Sequence, residues 1–430
     1  MTAKKSARNV FILLIISGIL LLLSFVGVLP NPVCGAKRFQ IDSTLPDGVT
    51  RPDEQPDESK TDSGQMNQTM PSDEPSDATV VEKIELPIAD NDPDQLPPGV
   101  EALRTWPATL CVPILHEANL EQYKTRAASA QPLKGVTVIL DASRGGEETG
   151  AVWGSGEGAL TEKAILLGIA TEAEKALTRF GATVVLTRTT DASHSLFARV
   201  AIAADVALIR YREAADEAGY LTSVVDNLRL LMGDVIRINQ NSPASGGRGL
   251  FGSIGTSPQL RILYDIEAQY SDILLINLSL GNDNDTSRRG SNVYYMSADF
   301  VASTNNGYAV DCDPKDFYPN YTNIDSTGRA ALAELLKTNL ARMVPSFKPE
   351  NGLDAGEEKD LALLRLTNYV SASLVPGYLS NDWDRTILGS EQGRAGIGQA
   401  IANAVFQYFV APSSSGESQI IFILCRMKTD

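Results

Sequence analysis

Apolar residues recur at two different periods between about residues 108 and 410, and the alternation of those periods predicts an α/β fold. Val136 to Asp141 is a short β-branched run that stops at Gly145 and Gly146, as a buried strand does. Thr161 to Phe180 carries Ile165, Leu166, Ile169, Ala173 and Leu177 at helical spacing, opened by a Thr that can cap and closed by Gly181. Thr183 to Thr187 reads as the next strand and Leu196 to Ile209 as the next helix. Strand, helix and strand in that order imply a parallel pair with a right-handed crossover. Further strands are predicted at 272–278, 292–296, 361–366 and 373–379, and further helices at 330–343 and 392–409. An insertion at about 211–270 interrupts this order. It holds one amphipathic stretch, Leu221 to Ile238, followed by a Gly-rich loop that lacks the Lys-Ser/Thr of a phosphate-binding loop.

Outside this region the pattern changes twice. Val10 to Leu29 is an uncharged run of 20 residues behind Lys4, Lys5 and Arg8. As a helix it spans about 30 Å, the thickness of a bilayer core. Residues 1–38 therefore read as a single-pass membrane anchor that leaves the C-terminal domain extracytoplasmic. The alternative is a cleaved signal peptide and a secreted chain. Residues 39–107 hold sixteen acidic and four basic side chains together with repeated prolines. That composition predicts a disordered linker. Residues 411–430 read as a flexible tail.

The formal net charge of −16 thus belongs mainly to the linker, and it argues against a nucleic-acid partner. Only two histidines, His116 and His194, are present, and the four cysteines form no C-x-x-C pair. A zinc ribbon or dithiol motif is excluded, and a His-rich centre has little to be built from. Each histidine reads as a solvated side chain.

The order of the motifs resembles the zinc-dependent N-acetylmuramoyl-L-alanine amidases of family 3. The first strand ends in Asp141-Ala-Ser-Arg144-Gly-Gly146, where that family has D-P-G-H-G-G, and the first helix opens with Glu162-Lys163. Leu186-Thr-Arg188 to Asp191, Leu196 to Arg199, Asn277-Leu-Ser279 and Leu374-Val375 to Asn381 follow in the family's order. The resemblance implies a bacterial cell-wall protein with a single twisted, mixed, mostly parallel sheet flanked by helices. It also implies peptidoglycan, a muropeptide or a cell-envelope protein as partner.

Carried over residue by residue, the family's two zinc-binding histidines fall on Arg144 and Ser279, and its general base falls on Val375. Only the Glu ligand, Glu162, is retained. A guanidinium has no lone pair for a metal and a valine accepts no proton. No cofactor is expected on this reading, and an Arg144–Glu162 ion pair is expected to replace the metal. Asp141, Arg144, Glu162, Asn277 and Ser279 form the candidate cleft. With three of the four site residues replaced, the resemblance implies an amidase-like cell-wall protein that is catalytically inactive and binds peptidoglycan or a partner at the cell surface. The competing expectations are an active amidase that holds zinc through other ligands, and a structural wall protein without a ligand.

Overall fold

The computed structural model describes residues 83–90, 92–94, 96, 102–239, 248–310, 312–347 and 356–410. Four strands form the parallel centre of its main sheet: β1 (Thr137–Ala142), β4 (Thr183–Leu186), β5 (Ile273–Leu278) and β8 (Val370–Val375). β6 (Asn292–Tyr295) runs antiparallel to β8, and the two-residue β7 (Glu357–Glu358) closes the edge beside it. The spatial order is β4-β1-β5-β8-β6-β7. A separate hairpin pairs β2 (Val152–Trp153) with β3 (Leu160–Thr161).

Strands β1, β5 and β8 are buried along their whole length, because helices cover both faces of the sheet. Val138, Leu140, Leu274, Ile276, Ala372 and Leu374 point to one face. They pack there on α2 (Glu162–Arg179), α7 (Ser326–Met343) and α10 (Glu391–Phe409). The alternate residues Ile139, Ile273 and Leu275 meet α3 (Leu196–Glu217), α4 (Ser223–Ile238) and α5 (Pro258–Glu267) on the other face. The fold is a three-layer α/β arrangement with a mixed, mostly parallel sheet. The remaining helices are α1 (Leu120–Lys124), α6 (Ala298–Tyr308), α8 (Ala362–Arg365) and α9 (Asp382–Gly389).

Several expectations are corrected by the structure. The expected strand at 361–366 is the short helix α8, whose Leu363 and Leu364 are buried. β8 begins at Val370, three residues before the expected start. The expected insertion at 211–270 has no sharp beginning, since α3 continues unbroken to Glu217, and its helices α4 and α5 build the second core. Single-pass membrane placement is not upheld. No helix among the described residues is long and apolar enough to cross a membrane, and the proposed span 10–29 lies outside them. The tail 411–430 also lies outside them.

The linker boundary at 107 moves as well. Leu86, Leu103 and Trp106 are buried, and Ala89 N donates to Cys111 O at 2.8 Å. Trp106 donates from its indole Nε1 to Thr256 O at 2.8 Å and from its backbone to Asn320 O at 2.9 Å. Each large apolar side chain buried this way contributes about 1.5–3 kcal/mol. The described part of 83–107 is therefore a strap docked on the domain.

Candidate functional site

The carboxyl ends of the parallel strands bring the polar residues together. In the sheet register Asp141 stands beside Asn277, and Asn277 beside Ser373, so the three line up across β1, β5 and β8. Asp141 is fully buried. Its Oδ1 accepts from Thr187 Oγ1 at 2.7 Å, and its Oδ2 accepts from Arg199 at 2.5 Å and from Asn277 Nδ2 at 2.7 Å. Asn277 Nδ2 also donates to Ser143 Oγ at 2.8 Å, and Asn277 Oδ1 accepts from Ser373 Oγ at 2.7 Å. One buried carboxylate thus meets one guanidinium and a closed set of neutral donors, the condition under which a buried charge is tolerated.

Beyond β1 the chain turns sharply. Arg144, Gly145 and Gly146 all have positive φ, at 70°, 138° and 57°. A Cβ on Gly145 would lie 2.0 Å from Ala192 O, so glycine is what lets this turn press against the loop after β4. Arg188 ties the turn down, donating to Ala142 O at 2.8 Å, Ser143 O at 3.2 Å and Lys163 O at 2.7 Å. Lys163 and Asp191 clamp Gly146 from either side: Lys163 Nζ donates to Gly146 O at 2.7 Å, and Gly146 N donates to Asp191 Oδ1 at 2.8 Å. The Leu-Thr-Arg and Glu-Lys motifs are in this way a scaffold for one turn.

Arg144 is the one non-glycine residue with positive φ among the described residues, a conformation that costs about 1–2 kcal/mol. Its side chain pairs with Glu148, and its Nε lies 3.5 Å from Glu162 Oε2, an ion pair without a hydrogen bond. Burial works against the Arg144 cation, but Glu162 and Glu148 outweigh it and hold its pKa above the usual arginine range. Glu162 opens α2 behind the Thr161 cap and is buried. Its Oε2 accepts from Ala151 N at 2.9 Å and its Oε1 from Leu280 N at 3.1 Å. Ser279 stands next to that second donor, and its own N–H donates to Leu374 O at 3.1 Å, which sets it near buried Val375 at the end of β8.

The histidines are not the solvated side chains expected. His194 Nδ1 is buried without a partner, and burial together with Arg199 and Arg188 pushes its pKa down. His116 stacks on Tyr270 with centroids 4.5 Å apart, at the opposite end of the sheet. Ser143, Ser373 and Arg199 join the strand-end network although sequence reasoning did not place them there. Ser373 is a lone serine in a strand and carries no signal until the sheet register sets it beside Asn277, while Ser143 and Arg199 stand in motifs whose contact with Asn277 and Asp141 only the fold reveals.

Residues 138–209 match the N-acetylmuramoyl-L-alanine amidase family. That segment holds Asp141, Arg144, Glu162, Arg188 and Arg199. No curated protein matches the chain. Among solved structures, the chain is similar to the CwlD amidase from Clostridioides difficile, solved in complex with the GerS lipoprotein, at 19% identity. The alignment covers 64% of this chain and 98% of that one, with a TM-score of 0.36. The amidase AmiC2 of Nostoc punctiforme has the same identity and TM-score, covering 64% and 96%. The amidase Ami1 from Mycobacterium smegmatis stands at 13%, covering 64% and 98%, with a TM-score of 0.37.

The residues present do not fit a zinc ion. Among the described residues no three His, Cys, Asp or Glu side chains converge in a metal-binding group. Glu162 has a guanidinium beside it and a backbone N–H on each oxygen, so its lone pairs are directed at the protein itself.

Proposed function

We propose that this chain is an amidase-like protein that binds peptidoglycan or its muropeptide fragments without hydrolysing them. The observation that carries the reading is Arg144 Nε at 3.5 Å from Glu162 Oε2, a cation from the protein at the one retained ligand position. Hydrolysis of an amide needs an activated water and a base to take its proton. The residues aligned with those roles are Arg144, Ser279 and Val375, and none can perform them. What they leave is a strand-end surface carrying a half-exposed guanidinium, whose Nη2, turned to neither Glu148 nor Glu162, is the donor left for the carboxylate of a peptide stem.

The test is direct. Purified full chain is incubated with muropeptides, with and without added zinc, and peptide release is followed by chromatography. In parallel, the protein is sedimented with isolated peptidoglycan. Co-sedimentation that weakens in Arg144→Ala, with no peptide released in either condition, is expected. Zinc-dependent release of stems would establish the active-amidase reading instead, and absence of both binding and release would leave a structural protein.

A further inference from the structure

The hairpin of β2 and β3 joins the turn at Arg144 to α2, and it leaves a tryptophan on the surface. Residues 152–158 are all exposed, Val152 at 52% and Trp153 at 49%. The hairpin stem is fixed on both sides. Ala151 N donates to Glu162 Oε2 at 2.9 Å, Glu162 N donates to Ala151 O at 2.8 Å, and Trp153 pairs with Leu160 across the two strands. Leu160 in turn lies against Gly389 at the end of α9, where a Cβ on that glycine would be 3.2 Å from its Cδ1.

The indole is laid flat instead of projecting. The guanidinium carbon of Arg385, from α9, stands 4.0 Å from the ring centroid of Trp153, so a cation covers one face. Arg385 is itself locked: its Nη1 donates to Leu379 O at 3.0 Å, its Nη2 pairs with Asp382, and its side chain is 11% exposed. The surface that Trp153 exposes is therefore the opposite face of the ring. No side chain rises beside it from Gly154, Gly156 or Gly158, and a Cβ at either of the last two would meet nothing within 4 Å. Trp383, 69% exposed, is two residues from Arg385 on α9 and so does not share its side of the helix.

We propose that the open face of Trp153 stacks on a sugar ring of the glycan strand and so aligns that strand beside the Arg144 surface. The inference rests on the peptidoglycan reading above and names where the sugar, as distinct from the peptide stem, is held. A pyranose presents a face of C–H groups ringed by hydroxyls, which matches a flat indole rimmed by glycine and polar positions. Stacking buries the C–H face and leaves the hydroxyls in water. A protein partner anchors a tryptophan by enclosing it in a pocket, whereas an indole pinned against its own surface offers one face only. Because Arg385 fixes the ring in advance, little side-chain freedom is lost on binding. Trp153 lies two residues, about 7 Å of strand, beyond the Ala151 N–H that Glu162 accepts, and Arg144 Nε is 3.5 Å from that same carboxylate oxygen. A sugar on the indole and a peptide stem on Arg144 are then adjacent parts of one ligand.

Isothermal titration of the full chain with chitotetraose, a peptide-free β-1,4-linked glycan, tests it beside the peptidoglycan sedimentation. Chitotetraose binds, Trp153→Ala weakens that binding about tenfold, and Trp153→Phe keeps part of it. Arg144→Ala and Trp383→Ala leave it unchanged, because neither side chain forms the open face. No binding of chitotetraose, binding unaltered in Trp153→Ala, or an equal loss in Trp383→Ala overturns the proposal; sedimentation that still depends on Arg144 then leaves the peptidoglycan reading standing on the stem alone. Trp153-dependent chitotetraose binding, with sedimentation undiminished in Arg144→Ala, upholds the stacking site and overturns instead the role given to Arg144.

Discussion

Replacing Arg199 by methionine is the sharpest test of how the strand-end network is held. Among the described residues Arg199 supplies the only formal positive charge that hydrogen-bonds Asp141, and both side chains are largely inside, at 13% and 0% exposure. Removing one partner of a buried ion pair costs about 3–5 kcal/mol, because the other charge stays behind without compensation. Thr187 and Asn277 continue to donate to Asp141, which places the expectation near the lower bound, about 3 kcal/mol. Methionine keeps most of the aliphatic volume of the arginine stem, so little of this loss is packing. The assay is urea-induced unfolding followed by far-UV circular dichroism, comparing midpoints at unchanged slope. A cycle with Asp141→Asn should give a coupling of at least about 1 kcal/mol, since the residues are in contact. A loss below about 1 kcal/mol in Arg199→Met, or an additive cycle, would refute the claim that this pair neutralises the buried carboxylate.

Three further outcomes follow from the same geometry. Gly150→Ala would place a methyl 2.3 Å from Glu162 Oε2 at a φ of 66°, and is expected to cost about 2 kcal/mol in chemical denaturation and to disturb the Arg144–Glu162 approach. His194 has a pKa depressed by burial and by Arg199 and Arg188, so the unfolded chain binds its proton first. Its contribution to stability is full above the ordinary histidine pKa of about 6.5 and is lost as pH falls from there toward the folded value; NMR titration with His194→Gln as reference should show a neutral imidazole near pH 6.5. The triple change Arg144→His, Ser279→His and Val375→Glu restores the family's residues around Glu162, and should raise zinc content from near zero toward one per chain by elemental analysis; no gain in zinc would show that the aligned positions do not converge.

What could be read in the chain depended on how local the determining physics was. β1, β5 and the long helices were legible because Val136 to Asp141 or Ile165 to Leu177 repeat a period that burial on one or both faces imposes. Asp141, Asn277 and Arg144 were legible because they sit where strands end. Leu361 to Leu366 was not, since a run of four leucines in six residues suits a strand or one buried helical turn equally, and the packing that chooses comes from distant residues. Ser373 entered the network only through register, and Ser143 only through the turn that follows β1. Glu267 gave no sign at all: in α5 it reads as one more acidic residue near a helix end, and only the docking of Asn368 on it shows that it is enclosed.

The strap bears on where this protein can be cut. Homology outlines a segment of 72 residues beginning at Val138, and composition alone would have begun the domain at 108. A fragment started at either point lacks Leu86 and Trp106 of the second core as well as the buried Leu103, while Thr256 O and Asn320 O lose their indole and backbone donors. The smallest autonomous piece is therefore longer than its recognisable one, and a fragment intended to isolate the site should begin ahead of Lys83.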